Sequence, residues 1–403
     1  MSWSDVGAAV RRALRCGAAR RALPARAVAT LGIALAILAP LTLVVPRNEV
    51  HAAPQGTIHA PLHGFTNARV PWAFAFPRDH GAHFGFQNEW WYYTGHLIAR
   101  DGRRFGYELT FFRFGLRPGD PKSRPGESRW RGNQVYPAHF AITDENGKRF
   151  VYRERFAREA LGMGHGREAA LEVVADEWTL RGSEPFRMRA RSDEVGVDLT
   201  QRAAKPPAVH GHSGISVKGP CGTCASHYYS MTRLRTSGTM WYQGKALAVD
   251  GISWMDHEFA SGGLDRSQIG WDWFSIQLDD RREVMDYRLR RKDGAIAAES
   301  SGSVVDPAGR VRYLHEDDVL VDVRGTWTSP HSGAVYPSGW RVRVPSARLD
   351  LVLTPTVLDQ ELANLTGGVS YWEGAVDVAD GRNGRHLGFG YVELTGYAGA
   401  PPF

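Results

Sequence analysis

The sequence has little cysteine: its 403 residues hold only Cys16, Cys221 and Cys224. So few cysteines exclude the disulfide framework that holds small secreted domains together. The pair in Cys221-Gly-Thr-Cys224 lacks the strand-to-helix setting of a thiol redox site, and a zinc site would need a second ligand pair, which is not evident. A local disulfide between Cys221 and Cys224 is therefore the favoured interpretation.

A concentrated basic run is also missing after residue 52. Residues 1–52 carry seven arginines against Asp5 and Glu49, so they account for +5 of the formal net charge of +6 and leave +1 for the rest. A nucleic-acid surface needs clustered positive charge. We therefore expect no nucleic-acid partner.

Residues 1–52 have the pattern of a secretory signal peptide. Arginines precede an apolar run over residues 27–45, and small residues end at Ala52, as at a cleavage site. The alternative is a retained membrane anchor, but Pro40 and the small-residue end favour cleavage. We expect an exported protein, either periplasmic or secreted. Peripheral membrane association stays open, as does the choice between Sec and Tat export.

Long apolar stripes with the helical period of 3.6 residues are scarce, which favours an all-β chain. After an approach segment over residues 53–88, two aromatic-rich runs, 89–97 and 105–112, flank the turn Asp101-Gly102 and predict a hairpin. Further short strands are predicted between residues 138 and 200 and between 271 and 394. Gly and charged residues separate them.

A weak internal repeat divides these strands into two blocks. Val197–Thr200 matches Leu349–Val352, and each block ends on a Gly, an aromatic residue and an acid, at 251–258 and 390–393. The openings match as well: Trp90, Tyr92, Thr94, His96 and Leu97 with Trp271, Trp273, Ser275, Gln277 and Leu278. We predict two consecutive antiparallel barrels of the up-and-down kind, over residues 89–260 and 261–403.

Strand alternation gives each opening strand an aromatic face. Such a face suits a ligand pocket or an interface between the barrels, and it serves both if the pocket lies at that interface. We expect a lipophilic small molecule as the partner. The predicted ligand-binding residues are Trp90, Tyr92, Trp271, Trp273, Gln277 and Tyr287.

Acids and an imidazole lie among the aromatic residues of the stretch 251–287. Hydration of an alkene needs a protonated carboxyl group, aromatic faces that stabilise a cation, and a base that positions water. Asp286 or Asp256 is the candidate acid and His257 the candidate base. The alternative for each residue alone is an ion pair that closes a barrel end. The catalytic interpretation predicts that His257 and Asp286 share one cavity.

Other catalytic signatures are missing. The motif Gly-x-Ser-x-Gly is incomplete, because the segment from Gly211 ends in Ile215 and the segment from Gly251 ends in Met255. His210 and His212 can share a face, but no further ligands are assignable. We therefore expect neither a serine-hydrolase site nor a metal nor a cofactor.

Six motifs resemble the two-domain lipocalin-like family that contains AttH-like proteins and carotenoid 1,2-hydratase. The resemblance implies two calycin-type barrels. It also implies activities that include water addition to an isoprenoid double bond, assisted ring closure, and those of exported proteins described as predicted hydrolases. The motifs are Glu89–Leu97, Ser226–Leu234, Trp254–Phe259, Gly270–Phe274, Tyr371–Gly374 and Gly390–Tyr397.

Site residues also follow from the resemblance. His257 matches the essential imidazole of the hydratase, and Asp286 matches its downstream carboxylate. Phe259 and Val284 depart from the tryptophan and the tyrosine expected there. The chain is therefore closer to the exported branch than to the carotenoid hydratase.

Three functions are compatible with these features. An acid–base enzyme on a lipophilic substrate, hydratase-like or hydrolase-like, predicts a cavity in which acids converge. A carrier of a lipophilic ligand predicts an aromatic cavity without convergent acids. A structural envelope protein predicts no cavity.

Processing is directly testable. We expect the exported chain to begin near Ala53 and to show no reactive thiol after denaturation, because an oxidising compartment would keep Cys221 and Cys224 bonded. N-terminal sequencing and thiol counting measure both. A retained leader or two reactive thiols would contradict the interpretation.

Overall fold

The computed structural model describes residues 64–118, 128, 130, 132–366 and 368–399. The predicted signal peptide and the start of the approach segment lie outside these residues. Helical structure within them consists of three short 3-10 helices, Arg78–His80, Glu316–Asp318 and Pro345–Ala347. No helix in the described part of the chain has the length and apolarity needed to cross a membrane.

Thirteen strands of the described chain form the first sheet. Strand β1 pairs with β2 on one side and with β13 on the other, so the first and last strands of the sheet are neighbours. The strands are β1 (Asn88–Ala99), β2 (Arg104–Gly115), β3 (Gln134–Asp144), β4 (Arg149–Arg158), β5 (Gly164–Gly166), β6 (Leu171–Ala175), β7 (Trp178–Gly182), β8 (Phe186–Arg191), β9 (Val195–Ala203), β10 (Ala208–Val209), β11 (Ser216–Val217), β12 (Ala225–Tyr242) and β13 (Lys245–Ala260).

Ten described strands form the second sheet, in which the first and last strands are again neighbours. Strand β14 pairs with β15 and with the last strand, β25, while β19 and β20 form a separate hairpin. The strands are β14 (Gln268–Leu278), β15 (Glu283–Arg291), β16 (Ser301–Val305), β17 (Val311–His315), β18 (Leu320–Val323), β19 (Thr326–Thr328), β20 (Val335–Pro337), β21 (Trp340–Val344), β22 (Leu349–Pro355), β23 (Glu361–Leu365), β24 (Val369–Asp380) and β25 (His386–Leu394).

The all-β prediction is confirmed, with two consecutive lipocalin-like barrels built from antiparallel strands. The predicted repeat has a structural counterpart as well. Tyr92 of β1 lies opposite Asp256 of β13, and its repeat partner Trp273 of β14 lies opposite Glu393 of β25. In each barrel, the first strand therefore pairs with the last strand in an equivalent way.

Some strands are missing from the sequence prediction or extend beyond it. Strand β4 was not predicted, because partly exposed arginines interrupt its alternation. Strands β12 and β13 are 18 and 16 residues long, and their paired outer halves are more exposed than their inner halves. A bulge between Met231 and Leu234 lets β12 change its register against β13 without breaking the ladder.

Each barrel has an apolar interior, and a third apolar cluster lies between the barrels. The residues of β1 and β14 divide as alternation predicts. Trp91 and Tyr93 point into the first barrel, and Phe274 and Ile276 point into the second. The aromatic faces of both strands meet the other barrel.

Close approach of the barrels requires a residue without a side chain at Gly106. A Cβ atom there would lie 2.7 Å from both the Cβ atom of Ala375 and the hydroxyl oxygen of Tyr391 in the second barrel. Both contacts are shorter than carbon packing allows. Gly106 therefore sets how tightly β2 packs against β24 and β25.

A buried ion triad also joins the barrels. Glu283 of the second barrel lies 2.5 Å from the Nζ atom of Lys205 and 2.5 Å from the Nε atom of Arg233, both of the first. Glu283 is fully buried and its two partners are nearly so. Loss of one member would leave uncompensated buried charge, which is far more costly than loss of an exposed pair.

We expect Glu283→Ala to lower the free energy of unfolding by about 3–5 kcal/mol, because two buried cations lose their counter-ion. The control is Asp322→Ala, whose carboxylate is 57% exposed in its pair with Arg343, and which should cost under about 1 kcal/mol. Urea unfolding measures both. Equal, small losses would show that the triad does not hold the barrels together.

Candidate active site

A cavity of about 100 Å³ lies between the two barrels. Five of the six predicted ligand-binding residues line it, namely Trp90, Tyr92, Trp271, Trp273 and Tyr287. Gln277 is the exception, and its placement corrects the prediction. Its Nε2 atom donates to the carbonyl oxygens of Thr232 at 2.7 Å and Ser253 at 3.1 Å, so it fastens the second barrel to the first.

Asp256 lines this pocket from β13. Its Oδ2 atom accepts a hydrogen bond from the hydroxyl of Tyr228 at 2.6 Å, and its Oδ1 atom accepts from the indole of Trp254 at 2.6 Å and from the hydroxyl of Ser230. All three donors are neutral, and no cation pairs with this carboxyl among the described residues. Burial therefore dominates and raises the pKa of Asp256 to about 7.

Glu393 lines the same pocket from β25. Its Oε2 atom accepts a hydrogen bond from the indole of Trp271 at 2.9 Å. Burial, helped by the nearby acids Asp256 and Glu258, raises the pKa of Glu393 to about 7. The pocket thus holds two acids that can each carry or release a proton near neutral pH.

The two acids occupy equivalent places in the two barrels. Asp256 lies opposite Tyr92 in the pairing of β13 with β1, and Glu393 lies opposite Trp273 in the pairing of β25 with β14. Tyr92 and Trp273 are repeat partners and pack edge to face with ring centroids 5.1 Å apart. Each barrel therefore contributes one acid and one aromatic ring to a shared site.

Lys218 also lines the pocket and brings a positively charged ammonium group to it. Its Nζ atom lies 3.2 Å from the Oε1 atom of Glu258 and 3.8 Å from the ring centroid of Tyr287. Lys218 precedes the disulfide between Cys221 and Cys224, which the structure contains. The short disulfide loop thus carries the lysine at the rim of the pocket.

Two further buried acids, Glu373 and Glu108, lie near the pocket. The Tyr92 hydroxyl donates to the Oε1 atom of Glu373 at 2.6 Å. Burial raises the pKa of Glu373 and of Glu108 well above the usual range, and the nearby Glu393 raises both further. Glu108 also raises the pKa of Glu373. Burial and the neighbouring acids thus favour the protonated form of each group.

His257 does not face this pocket, which corrects the prediction that it meets Asp286 in one cavity. As the neighbour of Asp256 on β13, it points into the first barrel. Its Nε2 atom lies 2.9 Å from the Oε1 atom of Glu89, and its ring stacks on Trp91 with centroids 4.8 Å apart. Burial lowers the pKa of His257, although Glu89 opposes this.

Asp286 lies in the interior of the second barrel, on the opposite face of β15 from Tyr287. It shares its side of the strand with Val284 of the barrel core. Its nearest cation is Arg288, whose Nη1 atom is 3.9 Å away, and burial raises the pKa of Asp286 to about 7. Of the three predicted catalytic residues, only Asp256 therefore lines the pocket.

Two groups of side chains in the described part of the chain have the spacing of metal ligands. His83, Glu89 and His257 are one such group, but Glu89 already pairs with the buried guanidinium of Arg113 at 2.7 Å, which would repel a metal cation. Cys221 and Cys224, with Asp265, form the other. Their sulfur atoms are bonded to each other and do not provide thiolates.

Sequence reasoning missed Glu393, Tyr228 and Lys218 as pocket residues. A signal for Glu393 was present, since the repeat that matches Tyr92 with Trp273 leads across the ladder from Asp256 to Glu393. Tyr228 and Lys218 carry no such signal. They reach the pocket from β12 and from the disulfide loop, whose positions depend on the closed barrel.

The AttH-like family model matches residues 67–397, which is most of the chain. The chain belongs to the AttH-like family. The crystal structure of an AttH protein from Nitrosomonas europaea is similar over 83% of this chain and 100% of its own, with a TM-score of 0.73 and 32% identity. No curated protein matches the sequence.

A second, more distant solved structure shares the fold. Kievitone hydratase from Nectria haematococca is similar over 84% of this chain and 98% of its own, with a TM-score of 0.60. At 14% identity the likeness concerns the fold alone. Both barrels and their arrangement are therefore common to this protein and a hydratase.

The raised pKa of Asp256 predicts a pH-dependent stability. Its folded-state pKa of about 7 exceeds the usual 3.8, so its contribution is fully present below about pH 4 and is lost as the pH rises through about 7. Each pKa unit corresponds to ~1.4 kcal/mol. Asp256→Asn should therefore gain stability relative to wild type as the pH rises from about 4 to about 8.

Denaturant unfolding of both proteins across this range measures the effect. A constant offset is expected from the altered hydrogen bonds, because an amide does not titrate. The control is Asp322→Asn at an exposed site, whose stability should run parallel to that of wild type. Parallel curves for Asp256→Asn as well would contradict the raised pKa.

Proposed function

We propose that the protein binds a lipophilic small molecule in the pocket between the barrels and acts on it by acid–base catalysis, as a hydratase does. One observation carries the proposal: Asp256, which is buried, and Glu393, which is partly buried, line the same aromatic pocket, and burial raises the pKa of each to about 7. Acids tuned to the operating pH are what proton-transfer catalysis needs.

The hydrogen bonds favour different roles for the two acids. Both oxygens of Asp256 accept hydrogen bonds from fixed donors, which suits a carboxylate that acts as a base. Glu393 accepts a hydrogen bond only at Oε2 from the described residues, so its Oε1 atom can present a proton to the pocket. We assign Glu393 as the acid and Asp256 as the base.

The chemistry is the addition of water to a carbon–carbon double bond. Glu393 gives its proton to one carbon, and the cation that develops on the other carbon lies among aromatic faces that stabilise it. Asp256 takes a proton from a water molecule while the water oxygen bonds to that carbon. Proton exchange with solvent then restores Glu393 and Asp256.

The size of the pocket limits how much of the ligand it encloses. Pockets for drug-sized molecules measure ~300–1,000 Å³, whereas this cavity measures about 100 Å³. It has room for the reacting end of a lipophile. Trp90 and Trp271 are partly exposed at its edge, so they provide an aromatic surface on which the apolar tail of a longer ligand can pack.

A carrier function is the second candidate, because aromatic side chains form most of the lining. A carrier needs the aromatic wall and does not need Glu393 or Asp256. The two functions therefore predict different effects when Glu393 and Asp256 are substituted. Kievitone hydratase supports the proposal only as an example of this fold in a hydratase.

Export is part of the proposal. The predicted leader and the disulfide between Cys221 and Cys224 both suit an oxidising compartment. The ligand would then be met outside the cytoplasm. Identification of lipids extracted from the purified native protein by mass spectrometry is the direct route to it.

With the extracted ligand or an isoprenoid alkene series as substrate, Glu393→Gln and Asp256→Asn should each lower turnover by about 10²–10⁴-fold. Binding should change little, because the aromatic wall supplies most of the affinity. Product analysis and ligand titration on the same variants measure both quantities. Trp271→Ala should weaken binding instead.

The control is Asp286→Asn, which also changes a buried acid but lies outside the pocket. It should keep wild-type turnover. A carrier would show no turnover in any variant and would lose affinity only on Trp271→Ala. Loss of turnover in Asp286→Asn with full activity in Glu393→Gln would refute the assignment of the site.

A further inference from the structure

His210 is a buried histidine beside the pocket between the barrels, and the proposed reaction does not use it. It follows β10, and its side chain is almost fully buried. His212, two residues further along the chain, is exposed. Only one of the two neighbouring histidines therefore belongs to the interior, and its contacts indicate what it does there.

The ring of His210 contacts two of the side chains that donate hydrogen bonds to Asp256. Its Nε2 atom is 2.7 Å from the hydroxyl oxygen of Ser230, and its ring centroid is 4.3 Å from that of Tyr228. Its backbone N–H group also donates to the carbonyl oxygen of Tyr228 at 3.0 Å. Ser230 donates to Oδ1 of Asp256 and Tyr228 to Oδ2. His210 thus supports a donor to each oxygen of this carboxyl group.

The other ring nitrogen of His210 reaches the second barrel. Its Nδ1 atom is 3.2 Å from the hydroxyl oxygen of Ser303 on β16. Ser230, His210 and Ser303 are all buried. We call Asp256, Ser230, His210 and Ser303 the Asp256 network. This network connects the acid of the first barrel with the second barrel.

Asp256 depends on neutral donors for the stability of its ionised form. Burial opposes ionisation, whereas the hydrogen bonds from Ser230, Tyr228 and Trp254 lower the pKa of Asp256 and offset part of the effect of burial. Lys218, the cation of the pocket lining, pairs with Glu258. The other titratable groups of the lining are Tyr92, Tyr228, Glu258, Tyr287, Tyr371 and Glu393.

The charge of Asp256 sets the direction of the hydrogen bonds in the network. An ionised carboxylate only accepts, so the single hydroxyl proton of Ser230 points to Oδ1 of Asp256. Burial lowers the pKa of His210 to about 3, so its ring is neutral and carries one proton. The Ser230 oxygen offers only lone pairs to the ring at 2.7 Å, which places the proton of His210 on Nε2. The Nδ1 atom then accepts from the hydroxyl of Ser303.

The opposite tautomer of His210 would weaken the support of Asp256. A lone pair on Nε2 would compete with the carboxylate for the one proton of Ser230. If that proton went to the ring, Oδ1 of Asp256 would keep only the indole of Trp254 as a donor among the described residues. A proton on Nε2 of His210 removes this competition.

We propose that His210 is a positioning residue for Asp256: its neutral ring donates from Nε2 to Ser230 and thereby directs the Ser230 hydroxyl onto the carboxylate. His210 is not among the residues that line the pocket, so it acts through Ser230. The inference rests on the proposed function in that Asp256 is treated as the base. The contacts of the network do not depend on a ligand.

The test measures the pKa of Asp256 by carbon-13 NMR, with Asp256→Asn for assignment. His210→Phe keeps a ring beside Tyr228 but removes both nitrogen atoms. It should raise the pKa of Asp256 by up to about one unit, the value of one hydrogen bond, because Ser230 becomes a weaker donor. The loss of turnover at low pH should move to higher pH in the same variant, because the base must be ionised.

His210→Gln is the conservative variant, because its amide N–H group can donate to Ser230 in place of the ring. It should return the pKa of Asp256 towards the wild-type value. The control is His212→Phe, whose ring is exposed and lies 4.8 Å from that of Tyr313. It should leave the pKa of Asp256 unchanged.

A double substitution separates this role from packing. Ser230→Ala removes the hydroxyl that His210 directs, so it should itself raise the pKa of Asp256. When His210→Phe is added to Ser230→Ala, no further rise is expected, because the effect of His210 passes through Ser230. A role in packing alone predicts that the two changes add.

An unchanged pKa of Asp256 in His210→Phe, or an equal rise in His210→Gln, would overturn the proposal. Additive rises in the double variant would overturn it as well. These titrations need no substrate. A protein that shows the expected pKa values but no turnover would refute the proposed function and keep the role of His210.

A measurement on the wild-type protein covers the case in which the variants do not fold. Nitrogen NMR of the histidine side chains identifies the protonated atom of each neutral ring. At a pH above the pKa of Asp256, which is about 7, the proton of His210 should lie on Nε2. A proton on Nδ1, or a charged ring, would overturn the proposal.

Discussion

The pairing of β1 with β13 is the constraint on which the pocket between the barrels depends. Successive residues of a strand point to opposite faces, so this one ladder supplies two environments. Asp256 and Tyr92 point towards the second barrel and form the pocket between the barrels. The adjacent pair of the ladder, His257 and Trp91, points into the first barrel, where His257 lies 2.9 Å from Glu89. Neighbours in sequence are thus separated by the thickness of the sheet.

A neighbouring cation distinguishes Glu89 from the two acids of the pocket. Glu89 lies against the guanidinium of Arg113 and stays ionised inside the first barrel. Asp256 is buried, Glu393 is partly buried, and both receive hydrogen bonds from neutral donors, so burial raises their pKa values to about 7. One chain therefore contains a fixed anion that orients a histidine and two acids that can exchange protons near neutral pH.

Alternation and the internal repeat explain how much could be predicted from the sequence. They placed the aromatic faces of β1 and β14 between the barrels and located five pocket residues. Alternation also implies that Asp286 and Tyr287, as neighbours on β15, cannot both face one pocket. The sequence prediction overlooked this consequence. The roles of His257 and Asp286 were assigned from residue types and from family resemblance, neither of which specifies the face of the strand on which a side chain lies.

Other features depend on closure of the barrels and have no local signal. His80 belongs to the approach segment before the first predicted strand, and its contact with Tyr229 joins residues 149 positions apart. Lys218 reaches Tyr287 only because the disulfide loop lies beside the second barrel. Such contacts arise from packing between distant segments, so composition and periodicity do not reveal them.

The central claim is that the two barrels each contribute one acid to a shared pocket and that both titrate near neutral pH. Carbon-13 NMR of the side-chain carboxyl groups, assigned through Asp256→Asn and Glu393→Gln, tests it most directly. The structure predicts that both groups titrate at about 7 and that removal of Asp256 lowers the pKa of Glu393, which its charge raises. Two independent titrations near the usual value of about 4 would contradict the account.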